Sequence, residues 1–557
     1  MKRQRFNRWV GGLLAIVLAL GMTACQSSGE KGASGNEPAA PSKQVEDKDL
    51  DYTYGENKTF RSNEPVTYSM MYSDHENYPY QENWRLWSAI KEKTNVNFDL
   101  SITARTEYEN QKSLLVNSGD APYIIPKTYD ESGFIAGGQI VAISDWVQYM
   151  PNYMKAVKDW GMEKDLKAKM QADGKYYVLP GLWEVAGGGY SYIIRKDIFE
   201  AAGVDVEAEE GKWTYEDFYE AMKKVKEHTG KSNIFSDQFQ GNSTLNIAAV
   251  AYGVTGGWGL ANGLKFDEEK KQFYFANTTE DFKAYVAYFN KLIKEGILDP
   301  ESFTQEDDTA RSKFFKGDSY VINGNYQLLA DYKTKMQDPN AELYMIVQPG
   351  GPKGLLQIEN SRLENGIMVS QNALKELGEE KFVKMLRFID WLWYSDEGQT
   401  LSLWGVEGET YTKDAEGNIV LNKDISFNGM NDDTATKKLN VDFGFGGGVF
   451  AYGGSSKLKF SKMTEGEKDY NDRILKYREV RPIQPPIMGT PDQSEEMNLI
   501  STPLMDYVNT MTLKFITGQE PLSNWDTYTA TAEANGSTRY TQMANEIFEG
   551  TKSLLGY

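Results

Sequence analysis

Cysteine is almost missing from this chain: Cys25 is the one thiol in 557 residues. No intrachain disulfide can form, which excludes a disulfide-stapled small domain and any cysteine-built metal site. Histidine is nearly as scarce, with only His75 and His228, far apart in sequence. A Ser–His–acid triad would have to use one of them, and a histidine-based metal site would need both. The usual phosphate and cofactor loops are missing too. Thr229-Gly230-Lys231-Ser232 imitates the end of a P-loop, but Val225 stands where the first glycine belongs. Gly444–Val449 lacks the third glycine of G-x-G-x-x-G. There is no G-x-S-x-G elbow and no D-x-[DN]-x-[DN]-G calcium run. No cofactor and no metal is expected.

An excess of positive charge is also missing. The chain carries 60 Lys and Arg against 80 Asp and Glu, a net −20. Four of those basic residues lie in residues 1–24, which hold no acid, so the rest of the chain stands at −24. That balance argues against nucleic acid and against binding along an anionic lipid surface. Long apolar runs are missing except for Val10–Met22, which is short for a membrane span.

That run reads as the core of an export signal. Lys2, Arg3, Arg5 and Arg8 precede it, and Met22-Thr23-Ala24-Cys25 closes it. The closing residues resemble the bacterial lipobox, which prefers leucine where Met22 stands. Residues 1–24 are therefore read as a lipoprotein signal peptide and Cys25 as the lipidated residue. Residues 25–60 are a flexible tether, since Gln26–Glu46 is Ser, Gly, Glu, Pro, Ala and Lys with almost nothing to bury. This places the protein at the cell membrane, lipid-anchored, on the extracellular face.

The remaining length is too great for one core, so two lobes are expected. Val66, Tyr68, Met70 and Tyr72 alternate onto one face of a strand. A helix follows from about Trp84 to Thr94, then a strand at Val96–Ile102, a helix at Tyr108–Asn117 and a short strand at Tyr123–Ile125 ending at Pro126. Strand alternating with helix predicts a mainly parallel sheet flanked by helices, with ligands beyond the carboxyl ends of its strands. Tyr176–Leu179 and Tyr190–Ile194 read as two β-runs, the first stopped by Pro180 and Gly181. Between them Gly187, Gly188 and Gly189 suit a hinge crossing. Thr214 is the expected N-cap of a helix to about Thr229, and Asp281–Gly296 is an amphipathic helix. In GVTGGWG, Trp258 stands among glycines, a loop position that suits a sugar-stacking platform.

Several phrases carry a family resemblance. SGDAPYIIPKTYD, then GGQIVAISDWVQYMPNYMKAV and DGKYYVLPG, are similar to the family 1 extracellular solute-binding proteins, though Tyr123 stands where the family usually has aspartate. RKDIFEAAGV, KEGILDPES and FFKGDSYVINGNYQ also look like this family. FIDWLWYSDEGQTLSLWGVEGETY closely resembles its larger Gram-positive members. These are lipoprotein receptors of carbohydrate ABC importers, with maltose-binding protein a distant relative.

The resemblance implies an α/β fold of the periplasmic-binding-protein type: two lobes, each a mainly parallel sheet flanked by helices, joined by a multi-crossing hinge. It implies a first lobe at 61–185 plus 366–425 and a second at 190–362 plus 430–557. It also implies a non-enzymatic monomer that captures an oligosaccharide and delivers it to an ABC permease. Tyr326, in NGNYQ, matches the family's stacking aromatic. Trp84, Trp183, Trp258, Trp404 and Tyr452 are the further stacking candidates by loop position. Asp74, Asn83, Asn323, Gln327 and Arg362 are the candidate hydroxyl readers.

Two other readings stand beside this one. A cell-surface glycoside hydrolase would use the same aromatics with Glu184 or Glu407 as catalytic acid; a peptide receptor would show different phrases. The nominated loops hold Asp74, Glu76, Glu82, Asp130, Glu131, Glu184 and Glu407 against Lys127 and Arg362, a balance that favours a neutral ligand. Replacing Cys25→Ser should move the protein from the membrane fraction to the soluble fraction of lysed cells, since one thioether-linked lipid supplies the anchor. A variant as membrane-bound as its parent would refute lipidation at Cys25.

Overall fold

The computed structural model describes residues 53–557 apart from 188, 261, 357–361 and 447–452. Cys25, the tether up to residue 52, Gly188 and Tyr452 lie outside the described residues. Ten strands make up the two lobe sheets and one hairpin: β1 (Val66–Asp74), β2 (Val96–Ala104), β3 (Ile124–Thr128), β4 (Leu179–Leu182), β5 (Ser191–Arg195), β6 (Leu264–Asp267), β7 (Gln272–Phe275), β8 (Val321–Gly324), β9 (Leu343–Met345) and β10 (Leu363–Val369).

The first sheet has the order β2-β1-β3-β10-β4. β1 runs parallel to β2 and β3, while β10 runs against both β3 and β4. The alternation expected of β1 is there, but the strand is covered on both sides. Tyr68, Met70 and Tyr72 join one core, and Met71 joins another on the opposite face with Tyr108, Val116 and Ile125. A sheet flanked by helices on both faces requires this two-sided burial.

The second sheet has the order β8-β5-β9, with β5 antiparallel to both neighbours. Phe235 extends it with parallel bridges to Val321 and Leu298. Each sheet therefore has one strand reversed against the rest. Every residue of β5 is buried. Tyr192 and Ile194 enter the larger core of the second lobe, and Ile193 packs with Ile322, Leu329 and Tyr332 on the other face. The hairpin β6–β7 packs Phe266 and Phe273 against Phe548 of helix Ser537–Leu555.

The two cores map the path of the chain. The first takes residues from Tyr54 to Leu182 and then from Ile367 to Leu458; the second takes Tyr192 to Ile346 and then Met488 to Leu555. The chain crosses at 183–190, again between β9 and β10, and a third time after Leu458. Because Leu439, Phe445 and Leu458 still belong to the first core, that third crossing lies beyond 425–430.

Two strand expectations are corrected. β3 does not end at Pro126 but continues to Thr128. Its partner β10 bonds at Ile124, Ile125 and Thr128 with a register shift between, so the ladder skips Pro126, which has no N–H to give. Lys127 takes φ +54° at that irregularity. β4 is Leu179–Leu182, running through Pro180 and Gly181 rather than stopping there. It is the last strand in the order of the sheet, a position where proline is tolerated. Thr214 is the N-cap expected, with Asp217 completing a capping box, and the following helix is Tyr215–Thr229.

A buried carboxylate fastens the N-terminal part of the fold. Asp390, on helix Gln371–Tyr394, accepts bonds from Tyr54 Oη at 2.8 Å, Asn152 N at 3.1 Å, Asn152 Nδ2 at 2.7 Å and Tyr153 N at 2.8 Å. Burial pushes its pKa up to about 6 in spite of these donors. Asp390→Ala would strand all of them in the core and should cost about 3 kcal/mol or more, as loss of a buried charge partner does. Urea denaturation of parent and variant measures it; a loss below about 1 kcal/mol would show that the network is dispensable.

Candidate functional site

Gly454, Lys459, Arg362 and Trp258 all meet the crossing at 183–190. This crossing is not a free glycine linker. Trp183 bridges to Gly454, and Glu184 N donates to Gly454 O at 3.2 Å. Glu184 Oε2 accepts from Ser456 N at 2.6 Å, and Lys459 Nζ donates to Val185 O at 3.0 Å. A Cβ at Gly187 would lie 2.8 Å from Lys459 Nζ, the movable end of a long side chain.

Past the crossing stands an aromatic corner. Trp258 is 47% exposed, and its ring meets Tyr190 at 5.2 Å and Phe239 at 5.0 Å. The glycines around it press the loop onto helix Asn242–Tyr252. A Cβ at Gly257 would stand 1.9 Å from Asn242 O, one at Gly259 2.2 Å from Asn246 Oδ1, and one at Gly256 2.3 Å from Tyr285 Oη. The backbone on either side of Trp258 is therefore packed too closely for side chains at Gly256, Gly257 and Gly259.

Its neighbour Phe239 is held just as firmly. Phe239, Gln240 and Gly241 take φ values of +65°, +53° and +80°, a left-handed run in which two residues carry side chains. Such strain persists only where the surroundings over-determine it. Phe239 N donates to Asp307 Oδ1 at 2.9 Å and Gly241 N to Asp237 Oδ1 at 3.0 Å. Burial pushes the Asp237 carboxyl up to about 8. Gln240 is left exposed at the top of the turn.

A second, polar group surrounds Trp183. Lys459 and Lys462 lie 5.0 and 5.1 Å from its ring centroid. Glu467 stands beside these lysines and Tyr326 beside Glu467, and Glu364 acts on Lys462 from β10. Next to Glu364, Asn365 is buried, and Tyr129 neighbours both while remaining exposed. The arrangement offers a flat apolar face and a set of hydrogen-bonding groups, which suits holding a ligand that has both.

The sequence matches the family model of the bacterial extracellular solute-binding proteins over residues 86–385, more than half of its length. The chain belongs to the bacterial extracellular solute-binding proteins. Comparison with curated proteins gives no match. Among solved structures, the alginate-binding protein AlgQ2 without calcium ion is similar at TM-score 0.64 and 17% identity, over 88% of this chain and 99% of its own. A Bifidobacterium longum infantis solute-binding protein described as HMO binding has TM-score 0.64 and 15% identity over 88% and 99%. The Streptococcus pneumoniae protein FusA in complex with kestose has 0.61 and 17% over 87% and 99%. These likenesses establish a shared two-lobed fold.

Within this solute-binding protein the residues singled out by sequence fall into three groups. Trp258 and Tyr326 have accessible rings, Tyr326 half-buried against Tyr470. Asn83 and Gln327 are exposed, and Asp74, half-buried, accepts from Tyr80 N at 2.7 Å. The others are corrected. Trp84 and Trp404 are core residues, with indole N–H bonds to Val441 O at 2.7 Å and Ser461 Oγ at 2.9 Å, so their faces are closed to a ligand. Trp183 is mostly buried beside its two lysines. Asn323 is fully buried and accepts from Gln238 N at 3.0 Å. Arg362 donates to Trp160 O, Gly161 O, Glu184 O and Asp165 Oδ2, so its guanidinium is engaged in tying β10 to the first lobe.

The suspected catalytic acids are also engaged. Bonds from Ser456 hold Glu184 below the usual carboxylate range, the opposite of what a general acid needs. Glu407 pairs with Lys413 at 2.9 Å. Phe239, Tyr190, Gln240, Lys462 and Glu467 were missed by sequence reasoning. Only Thr464-Glu465-Gly466-Glu467, with its capping-box spacing, could have drawn attention to one of them.

Gly257→Ala tests the rigid platform. The added carbon meets a backbone carbonyl, and the position has φ +54°. The variant should lose at least about 2 kcal/mol by thermal or urea denaturation and red-shift its tryptophan emission as Trp258 is pushed out. An unchanged midpoint and spectrum would mean that the loop yields freely.

Proposed function

We propose that this solute-binding protein captures an oligosaccharide between its two lobes and delivers it to the permease of an ABC importer. It does so as a monomer held at the extracellular face of the membrane by a lipid on Cys25. The lobes of this reading are 61–185 with 366–458, and 190–362 with the chain beyond, the third crossing placed after Leu458 rather than at 425–430. Among the described residues no helix is long and apolar enough to cross a membrane, so in this reading the permease supplies the passage and the lipid the attachment.

The observation that carries the sugar assignment is the Trp258 corner. A sugar ring has an apolar face of C–H groups that packs on an aromatic ring, and an edge of hydroxyls that needs polar partners. Trp258, with Phe239 and Tyr190 behind it, is a fixed ring surface half open to solvent. The names of the similar structures, which speak of alginate, HMO and kestose, support the same class of ligand.

Thermal shift against xylo-, fructo- and malto-oligosaccharides and an oligogalacturonide, followed by calorimetry on any that stabilise, tests the reading. Trp258→Ala should weaken binding by on the order of 1–3 kcal/mol, the usual cost of removing a central aromatic anchor, with its circular dichroism unchanged. Full affinity in that variant would remove Trp258 from the site. No stabilisation by any sugar would overturn the receptor reading, and release of shorter sugars over hours would replace it with a hydrolase.

A further inference from the structure

Helix Glu465–Tyr477 opens with Thr464-Glu465-Gly466-Glu467, the spacing of a capping box. Two other helices in this protein complete both halves of such a box, at Thr214 with Asp217 and at Thr490 with Gln493. Here only one half is made. Thr464 Oγ1 accepts from Glu467 N at 3.3 Å, and the Glu467 carboxylate does not return to the cap. It faces Lys459 and Lys462 from the preceding segment and Tyr326 from helix Tyr326–Lys335, while Glu364 of β10 acts on Lys462 from the other side.

Among the described residues, neither the Glu467 carboxylate nor the Lys462 ammonium is in an ion pair or a side-chain hydrogen bond. Both are half-buried. Desolvation lowers the pKa of Lys462, and burial pushes Glu467 up to about 7. An acceptor-only group and a donor-only group stand near one another without touching. A hydroxyl can satisfy both at once, donating to the carboxylate and accepting from the ammonium. A ligand carboxylate could satisfy only Lys462 and would meet Glu467 and Glu364 as like charges. The two lysines here are balanced by two glutamates, so the group has no net positive charge to offer an anion.

We propose that Glu467 and Lys462 jointly read a hydroxyl of a neutral sugar beside Trp183, and that this pair selects uncharged over acidic oligosaccharides. The inference rests on the oligosaccharide reading of the site. Because the hydroxyl donates to the ionised carboxylate, binding favours the deprotonated form. Affinity is then highest above pH 7 and falls as Glu467 takes up its proton.

The experiment is calorimetry of the full chain at pH 8 and pH 6 with xylo-, fructo- and malto-oligosaccharides and with an oligogalacturonide. A neutral sugar should bind about tenfold more weakly at pH 6 than at pH 8, as expected when a group of pKa near 7 must lose its proton. Glu467→Gln should weaken binding at pH 8 and abolish the difference between the two pH values. Asp237, whose carboxyl also titrates in this range, lies under the other group. A pH dependence that survives Glu467→Gln would therefore overturn the proposal. Lys462→Met should weaken the neutral sugar as well, and unaltered affinity there would also overturn it. Exclusive binding of the oligogalacturonide, or neutral binding with no pH dependence, refutes this inference and leaves the receptor reading standing. Failure of every sugar to bind removes both.

Discussion

A loop amide bonded to a buried carboxylate is the interaction on which most of this architecture depends. With no disulfide available, the long connections between strands must be fixed by something else. Asp390 collects donors from Tyr54, Asn152 and Tyr153 in the first lobe. Asp307 and Asp237 fix the turn at Phe239–Gly241 in the second. Glu210, also buried, accepts from Tyr344 Oη and Val347 N and pairs with Arg473, joining the chain after β9 to helix Glu465–Tyr477. Each carboxylate is worth retaining because a charged acceptor forms stronger bonds than a neutral one, and because its removal would leave several donors stranded. The cost appears in Asp390 and Asp237, whose carboxyls burial makes easier to protonate.

The same interaction explains how much of the fold the residues alone disclose. β1, β2 and the helix capped by Thr214 follow from short-range pattern, and the order of the family phrases identifies the two-lobed class. The site does not follow, because it depends on contacts made across long stretches of chain. Trp84 and Trp404 look like loop aromatics until Val441 and Ser461 are brought to their indole N–H groups. Arg362 looks free until Trp160, Gly161 and Asp165 close around it. Gly256, Gly257 and Gly259 look like flexibility, yet each marks a place where another atom comes too near for a Cβ. Glycine serves both purposes, and nothing local distinguishes them. Phe239 and Gln240 are harder still, since their left-handed backbone carries none of the usual glycine or asparagine signals.

The charge of the cleft is the clearest instance of counting residues without their partners. Summed from the sequence, the loops near the crossing are acidic, which points to a neutral ligand whose hydroxyls meet free carboxylates. The structure weakens that reason, because most of those carboxylates serve the protein. Glu76 pairs with Arg105 at 2.6 Å, Asp130 accepts from Ser132 N, Glu131 is buried beside Lys169, and Glu184 and Glu407 are bonded to Ser456 and Lys413. In the proposed reading the ligand meets the smaller set at Glu467 and Lys462. Its charges cancel, so neutrality of the ligand is again favoured, now through two named groups rather than an overall balance. The net −20 then acts only as a screened background, which fades beyond about 8–10 Å at physiological ionic strength. In the proposed reading, selection between neutral and acidic sugars falls to groups near enough to touch them, while the Trp258 corner, which carries no charge, contributes affinity to either kind.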